Sequence, residues 1–224
     1  MNAPPSIQAA ERKATPFATL RRFAASRNDR PAASAPERCE LCNVGLAPEH
    51  RHLLEVGSHK IICACDACGL RFQDVVGGRF KLIPRDIRSL PAFQLNEGDW
   101  EALALPINLA FFFHHSLSGK ITALYPSPAG ATESLLPLSA WETLVTENPA
   151  LAGMQADVEA LLVNRAGDRR LYYLVPIDIC FELVGLMRMH WRGLSGGEEV
   201  WREIDGFFAR LEDRARPYRE VFHA

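Results

Sequence analysis

Five of the six cysteines fall within residues 39–68, and their spacing constrains the chain more than any other feature. Cys39 and Cys42 form one C-x2-C pair, Cys65 and Cys68 a second, with 22 residues between them. Each short loop directs two sulfurs at one centre, and the spacer is long enough to hairpin back with the second pair. This pattern predicts a small zinc ribbon with Cys39, Cys42, Cys65 and Cys68 as ligands and Zn2+ as a structural metal. Iron in a rubredoxin-like site is the alternative, because it uses the same four thiolates. Rubredoxin-type loops follow each pair with glycine. Gly69 follows Cys68, but Asn43 follows Cys42, so one half fits and zinc is favoured.

Cys63 lies on the same strand face as Cys65, since side chains repeat every second residue. It can replace Cys65 as a ligand, stand behind the ligands in the second shell, or remain a free thiol. His50, His52 and His59 also lie in the spacer. The expectation is that they line the outer face of a ribbon strand, since four cysteines already fill a structural zinc.

A disulfide framework fits poorly, because such chains are short and begin with an apolar secretory leader. This one begins M-N-A-P-P-S. Together with the cysteine usage, that predicts the cytoplasm. No segment reaches the roughly 18 apolar residues needed to span a bilayer. The net charge of −2 hides an uneven distribution. Residues 1–36 carry six basic and two acidic groups, residues 37–84 six of each, and residues 85–224 thirteen basic and nineteen acidic. A ribbon that grips nucleic acid carries a basic face, so nucleic-acid binding is disfavoured.

Four regions follow. Residues 1–36 read as a mostly disordered basic tail, with a docking helix over 15–25 as the one candidate element. Residues 37–84 form the ribbon, with strands at 52–56, 60–65, 70–74 and 79–83. Residues 85–216 form an α+β domain, and 217–224 a tail. Within that domain Asn96 caps a short helix, and strands are expected at 107–113, 120–125, 131–136, 158–165 and 170–175. Ser139 and Glu142 read as a capping box for a helix ending near Glu147. A largely apolar segment, 176–192, is assigned to a helix by its polar spacing, its early acids and its late bases. The last helix, after Gly196-Gly197, places Trp201, Ile204, Phe208 and Leu211 on one face. The expected architecture is a mixed, mainly antiparallel sheet with helices on one face.

No catalytic constellation stands out. His114-His115 at a strand end lack an identifiable acid or nucleophile partner. The segment 125–134 lacks the lysine and glycine spacing of a phosphate loop and reads as a turn between strands. Asp178, Cys180 and Glu182 share one helix, where charge capping and packing account for them.

Taken in order, E-R-C-E-L-C, E-H-R-H-L-L, C-A-C-D-A-C, L-A-F-F-F, A-L-Y-P-S-P-A-G-A-T-E-S, P-I-D-I-C-F-E-L-V-G and W-R-G-L-S-G-G form a specific set. Over about residues 15–212 the chain resembles a bacterial family of unknown function. Genes of that family accompany clusters encoding high-affinity, oxygen-tolerant nickel-iron uptake hydrogenases. The family's cysteine pattern maps onto Cys39, Cys42, Cys63, Cys65 and Cys68. The resemblance implies a role beside such a hydrogenase, in assembly, maturation or electron transfer. With no catalytic constellation, the expectation is a non-enzymatic accessory protein for its assembly, maturation or function, with hydrogenase subunits or maturation factors as partners. The alternative is a rubredoxin-like electron-transfer module serving the same enzyme.

Overall fold

In a computed structural model, residues 37–73, 78–134, 138–193 and 196–219 are described. The docking helix expected at 15–25, the Gly77 side of the glycine turn, the end of the strand expected at 131–136 and the Ser139 side chain lie outside them.

Two sheets build the fold. In the smaller, β1 (Arg51–Glu55) pairs antiparallel with β2 (Lys60–Ala64), placing Leu53 opposite Ile62 and His52 opposite Cys63. β3 (Phe80–Leu82) adds to the other edge of β1. Alternation along the strands then divides the side chains. Leu53, Ile62 and Ala64 face a small local core with Leu41, Phe72 and Leu82. His52, Leu54, Ile61 and Cys63 take the opposite face, where Leu54 and Ile61 join the main core.

A helix, α1 (Asp66–Phe72), stands where a strand was expected at 70–74. The cause is Cys65, whose extended backbone and sulfur cap the helix by accepting the Cys68 N–H at 3.4 Å. Asp66 in the first turn and Arg71 in the last complement the helix dipole. Gly69 lets α1 lie close on β1, because a Cβ there would sit 2.7 Å from Arg51 Cδ.

The larger sheet has seven strands. They are β4 (Arg88–Ser89), β5 (Leu109–His115), β6 (Lys120–Ser127), β7 (Gly130–Ser134), β8 (Glu159–Asn164), β9 (Leu171–Pro176) and β10 (Arg216–Pro217). Their order is β10-β4-β9-β8-β5-β6-β7, antiparallel throughout except for the parallel β10–β4 pair. β6 continues through Pro126, where a turn was expected. Its pairing with β5 ends at Leu124, so the proline sits where β6 has only β7 beside it.

Helices cover both faces of this sheet, which corrects the expectation of one. On one face Phe111, Phe113, Leu162, Tyr173 and Val175 pack against α4 (Ile177–His190) and α5 (Gly197–Arg214). On the other, Phe112, Leu161, Val163 and Leu174 meet Trp100 of α2 (Glu97–Ala102), Trp141 and Leu144 of α3 (Leu138–Glu147), and Leu151 of a 3-10 turn (Pro149–Gly153). The reason is legible in β5 and β8, whose apolar runs are uninterrupted, and a strand apolar at consecutive positions is buried on two sides. α3 begins at Leu138, so Ser139 lies within it rather than before it. On α5 the buried stripe is Val200, Ile204, Phe207, Phe208 and Leu211, while Trp201 is 39% exposed instead of joining it.

Leu54 and Ile83 from the small sheet enter the same core as α4 and α5. Two polar contacts fasten the junction. Lys81 Nζ donates to Asp157 Oδ2 at 2.6 Å and to the Ala156 carbonyl at 3.2 Å, and His52 Nδ1 lies 2.7 Å from Asp178 Oδ2 at the start of α4.

Candidate metal centre

Two backbone devices bring the four cysteines together. At the first pair, Cys39 N–H bonds the Val44 carbonyl at 2.9 Å and Asn43 N–H bonds the Cys39 carbonyl at 2.8 Å. Asn43, in the left-handed region at φ 64°, closes this knuckle, and Arg38 Nη1 donates to its carbonyl at 2.9 Å. Asparagine tolerates that conformation better than most residues, so it serves where rubredoxin-type loops place glycine. At the second pair, the first turn of α1 carries Cys65 as cap and Cys68 three residues on. Glu40 N–H to the Cys63 carbonyl, at 2.9 Å, ties the first knuckle to β2.

The ligand atoms of Cys39, Cys42, Cys65 and Cys68 lie within 4.8 Å of one another. Zinc–sulfur bonds of about 2.3 Å in a tetrahedron place sulfurs about 3.8 Å apart. Cys42 Sγ and Cys65 Sγ are separated by 3.7 Å. Cys39 is buried at the base and Cys42 is exposed at the rim. Four such thiols repel one another once ionised. Burial opposes ionisation of Cys39, but backbone groups of Cys65, Cys42 and Leu41 outweigh it and bring that thiol down to about 6. Burial pushes the Cys68 thiol up to about 12, and hydrogen bonding with Cys65, Cys42 and Cys39 adds to it. A cation held by all four removes this conflict, so the donor set fits a closed, four-coordinate metal.

Cys63 does not join this group; its sulfur lies with the rings of His50 and His52. His59, expected on an outer strand face, instead turns inward at φ 54°, with its ring 4.3 Å from that of His115. Asp157 lies close to both, fully buried. That carboxylate also accepts the Ser116 N–H at 2.8 Å, and Lys81 and Ser116 hold it ionised below the usual range against the cost of burial. His59 Nε2 is buried with no hydrogen-bond partner among the described residues. Burial, then the facing His115, lowers the His59 pKa. The pair borders a cleft of about 420 Å³ with Phe113, Lys120 and Glu133. His114 and His115 are successive strand residues and so face opposite sides of the sheet, which leaves them no joint chemistry.

The other candidates have structural roles. Cys180 is fully buried and its thiol is pushed well above its ordinary value by that burial. Glu182 is about half exposed and lies 3.9 Å from Arg210. Residues 125–134 form the β6–β7 hairpin. A feature the sequence did not reveal is a cleft of about 760 Å³ lined by Arg85, Arg88, Arg214, Arg216 and Arg219. The parallel β10–β4 pair assembles it by bringing the arginines of residues 214–219 beside Arg85 and Arg88, more than a hundred residues away, so neither segment alone marked it. Among the described residues, no helix is long and apolar enough to cross a membrane.

Residues 38–215 match the family of unknown function DUF5947. No curated protein and no solved structure matches the chain.

Proposed function

The chain belongs to the DUF5947 family of unknown function, and we propose that it is a non-enzymatic accessory protein whose four-cysteine ribbon holds a structural zinc. The observation that carries this reading is the gathering of four cysteine sulfurs within 4.8 Å, one pair at the separation a tetrahedral zinc requires, by a knuckle and a helix first turn fastened to a two-sided α+β core. A cage filled by four thiolates keeps no position for substrate, so its metal holds shape rather than performing chemistry. The partner proposed is a nickel-iron uptake hydrogenase or one of its maturation factors, in the cytoplasm, as the sequence resemblance implies. The arginine cleft is the surface assigned to that partner. Exposed Arg85, Arg214, Arg216 and Arg219 there suit an acidic docking segment.

A rubredoxin-like electron carrier, with iron in the same cage, is the second reading. The exposure of Cys42 favours it, because electron transfer needs a ligand edge near the surface.

The test is co-purification of the full chain with hydrogenase subunits and maturation factors from a host expressing both. Wild type is expected to retain a partner, and Arg214→Glu with Arg216→Glu to release it without loss of metal. Recovery of none of these proteins with wild type overturns the accessory role. Unchanged recovery with the double variant moves the docking surface elsewhere.

A further inference from the structure

A second cluster of metal-ligating side chains lies on the opposite face of the small sheet. His52 and Cys63 are directly opposed on β1 and β2, and His50 stands two residues before His52. The ligand atoms of His50, His52 and Cys63 lie within 4.8 Å of one another. The His50 side chain is only 7% exposed, and that of His52 29%.

The hydrogen bonds fix both rings. His52 Nδ1 lies 2.7 Å from Asp178 Oδ2, and that residue's other oxygen accepts the Ile179 N–H at 2.9 Å. His50 Nδ1 lies 3.0 Å from the Ala47 carbonyl and 3.5 Å from Glu37 Oε2. A carbonyl and a carboxylate only accept, so each ring carries a proton on Nδ1, and a neutral ring therefore leaves Nε2 bare. Yet the two Nε2 atoms face each other at 3.2 Å. Two bare lone pairs at that distance repel unless a shared proton or a metal ion lies between them.

We propose that His50, His52 and Cys63 form a second metal site, distinct from the four-cysteine cage. Two nitrogens bound to one tetrahedral ion at about 2.0–2.1 Å lie about 3.3 Å apart, close to the separation observed. Two neutral imidazoles and one thiolate suit a borderline divalent cation of the zinc class. Asp178 completes a carboxylate–histidine–metal arrangement, which orients the ring and strengthens its donor nitrogen. Three protein ligands leave the fourth position to solvent, unlike the closed cage. The site lies at the junction of the small sheet with α4, so an ion there ties the ribbon to the main core through Asp178.

Cobalt titration of the full chain, followed by visible absorption and ion counting, tests this. Wild type is expected to take up two ions per chain. One has four-thiolate charge-transfer intensity and the other the weaker intensity of a single thiolate. His50→Ala and Cys63→Ser should each hold one ion, with the four-thiolate spectrum intact. Asp178→Asn keeps every ligand and should weaken the second ion about 10–100-fold while sparing the first. Saturation of wild type at the four-thiolate ion alone overturns the proposal, as does a full second equivalent in the double variant His50→Ala, Cys63→Ser. If the ligand variants lose both ions, Asp178→Asn decides, and unchanged affinity there overturns the proposal. A single-thiolate ion without the four-thiolate one would leave this site standing and overturn the cage.

Discussion

Cys39 and Cys68 occupy opposite ends of the cage's protonation balance, one thiol lowered to about 6 and the other raised to about 12. Replacing either with serine removes one sulfur from a set with no spare, since Cys63 lies apart from it, beside His50 and His52. Cys39→Ser and Cys68→Ser are each expected to lose the cage ion and unfold the small sheet. Binding energy is folding energy in a unit whose local core, among the described residues, is as small as Leu53, Ile62 and Ala64. The seven-stranded sheet, whose own cores contain no ligand, should keep its thermal transition. Metal content and tryptophan fluorescence check both outcomes. The two C-x2-C pairs were legible because each knuckle is local. The grouping of Cys63 with the histidines was not. It depends on the β1–β2 register, which sets His52 opposite Cys63, and on Asp178, 126 residues beyond His52, which orients the ring only once the chain has folded.

Among the elements, α1 shows where periodicity misleads. Leu70 and Phe72 alternate as in a strand, yet Leu70 is 57% exposed and the capping sulfur of Cys65 decides for helix. β5 shows the reverse, since its unbroken apolar run already implied two covered faces. Phe111 and Phe112 are both fully buried, on opposite sides of the sheet. Phe112→Ala is expected to cost about 3–5 kcal/mol in chemical denaturation, because the hole beside Trp141 cannot refill. At the β1–β2 turn, burial first and the facing His115 second favour the neutral form of His59, against the pull of Asp157. Its folded pKa lies below the ordinary 6.5, so the unfolded chain binds the proton more readily. The stability it supports is therefore full above pH 6.5 and declines as pH falls below that value. His59→Asn, which tolerates the positive φ, should flatten this part of the pH profile; an unchanged profile would assign it to other groups.

At the scale of the whole molecule, the small sheet with its four-cysteine group is fastened to an α+β body through Leu54, Ile83, the Lys81–Asp157 ion pair and the His52–Asp178 contact. The mixed α+β class and the clustering of the four cysteines could be read from local spacing. The arginine cleft could not, because β10 and β4 meet across more than a hundred residues. The apolar run of β5 signalled a second covered face, but which helices cover it is set by tertiary packing. The central claim is that the four cysteines hold one structural zinc. The most direct measurement is the metal content and visible spectrum of full-length protein purified without added metal, alongside Cys39→Ser. Zinc, no visible colour, and at least one ion per chain that Cys39→Ser lacks are the expected results. Iron with thiolate charge-transfer bands, or zinc that Cys39→Ser retains in full, would contradict it.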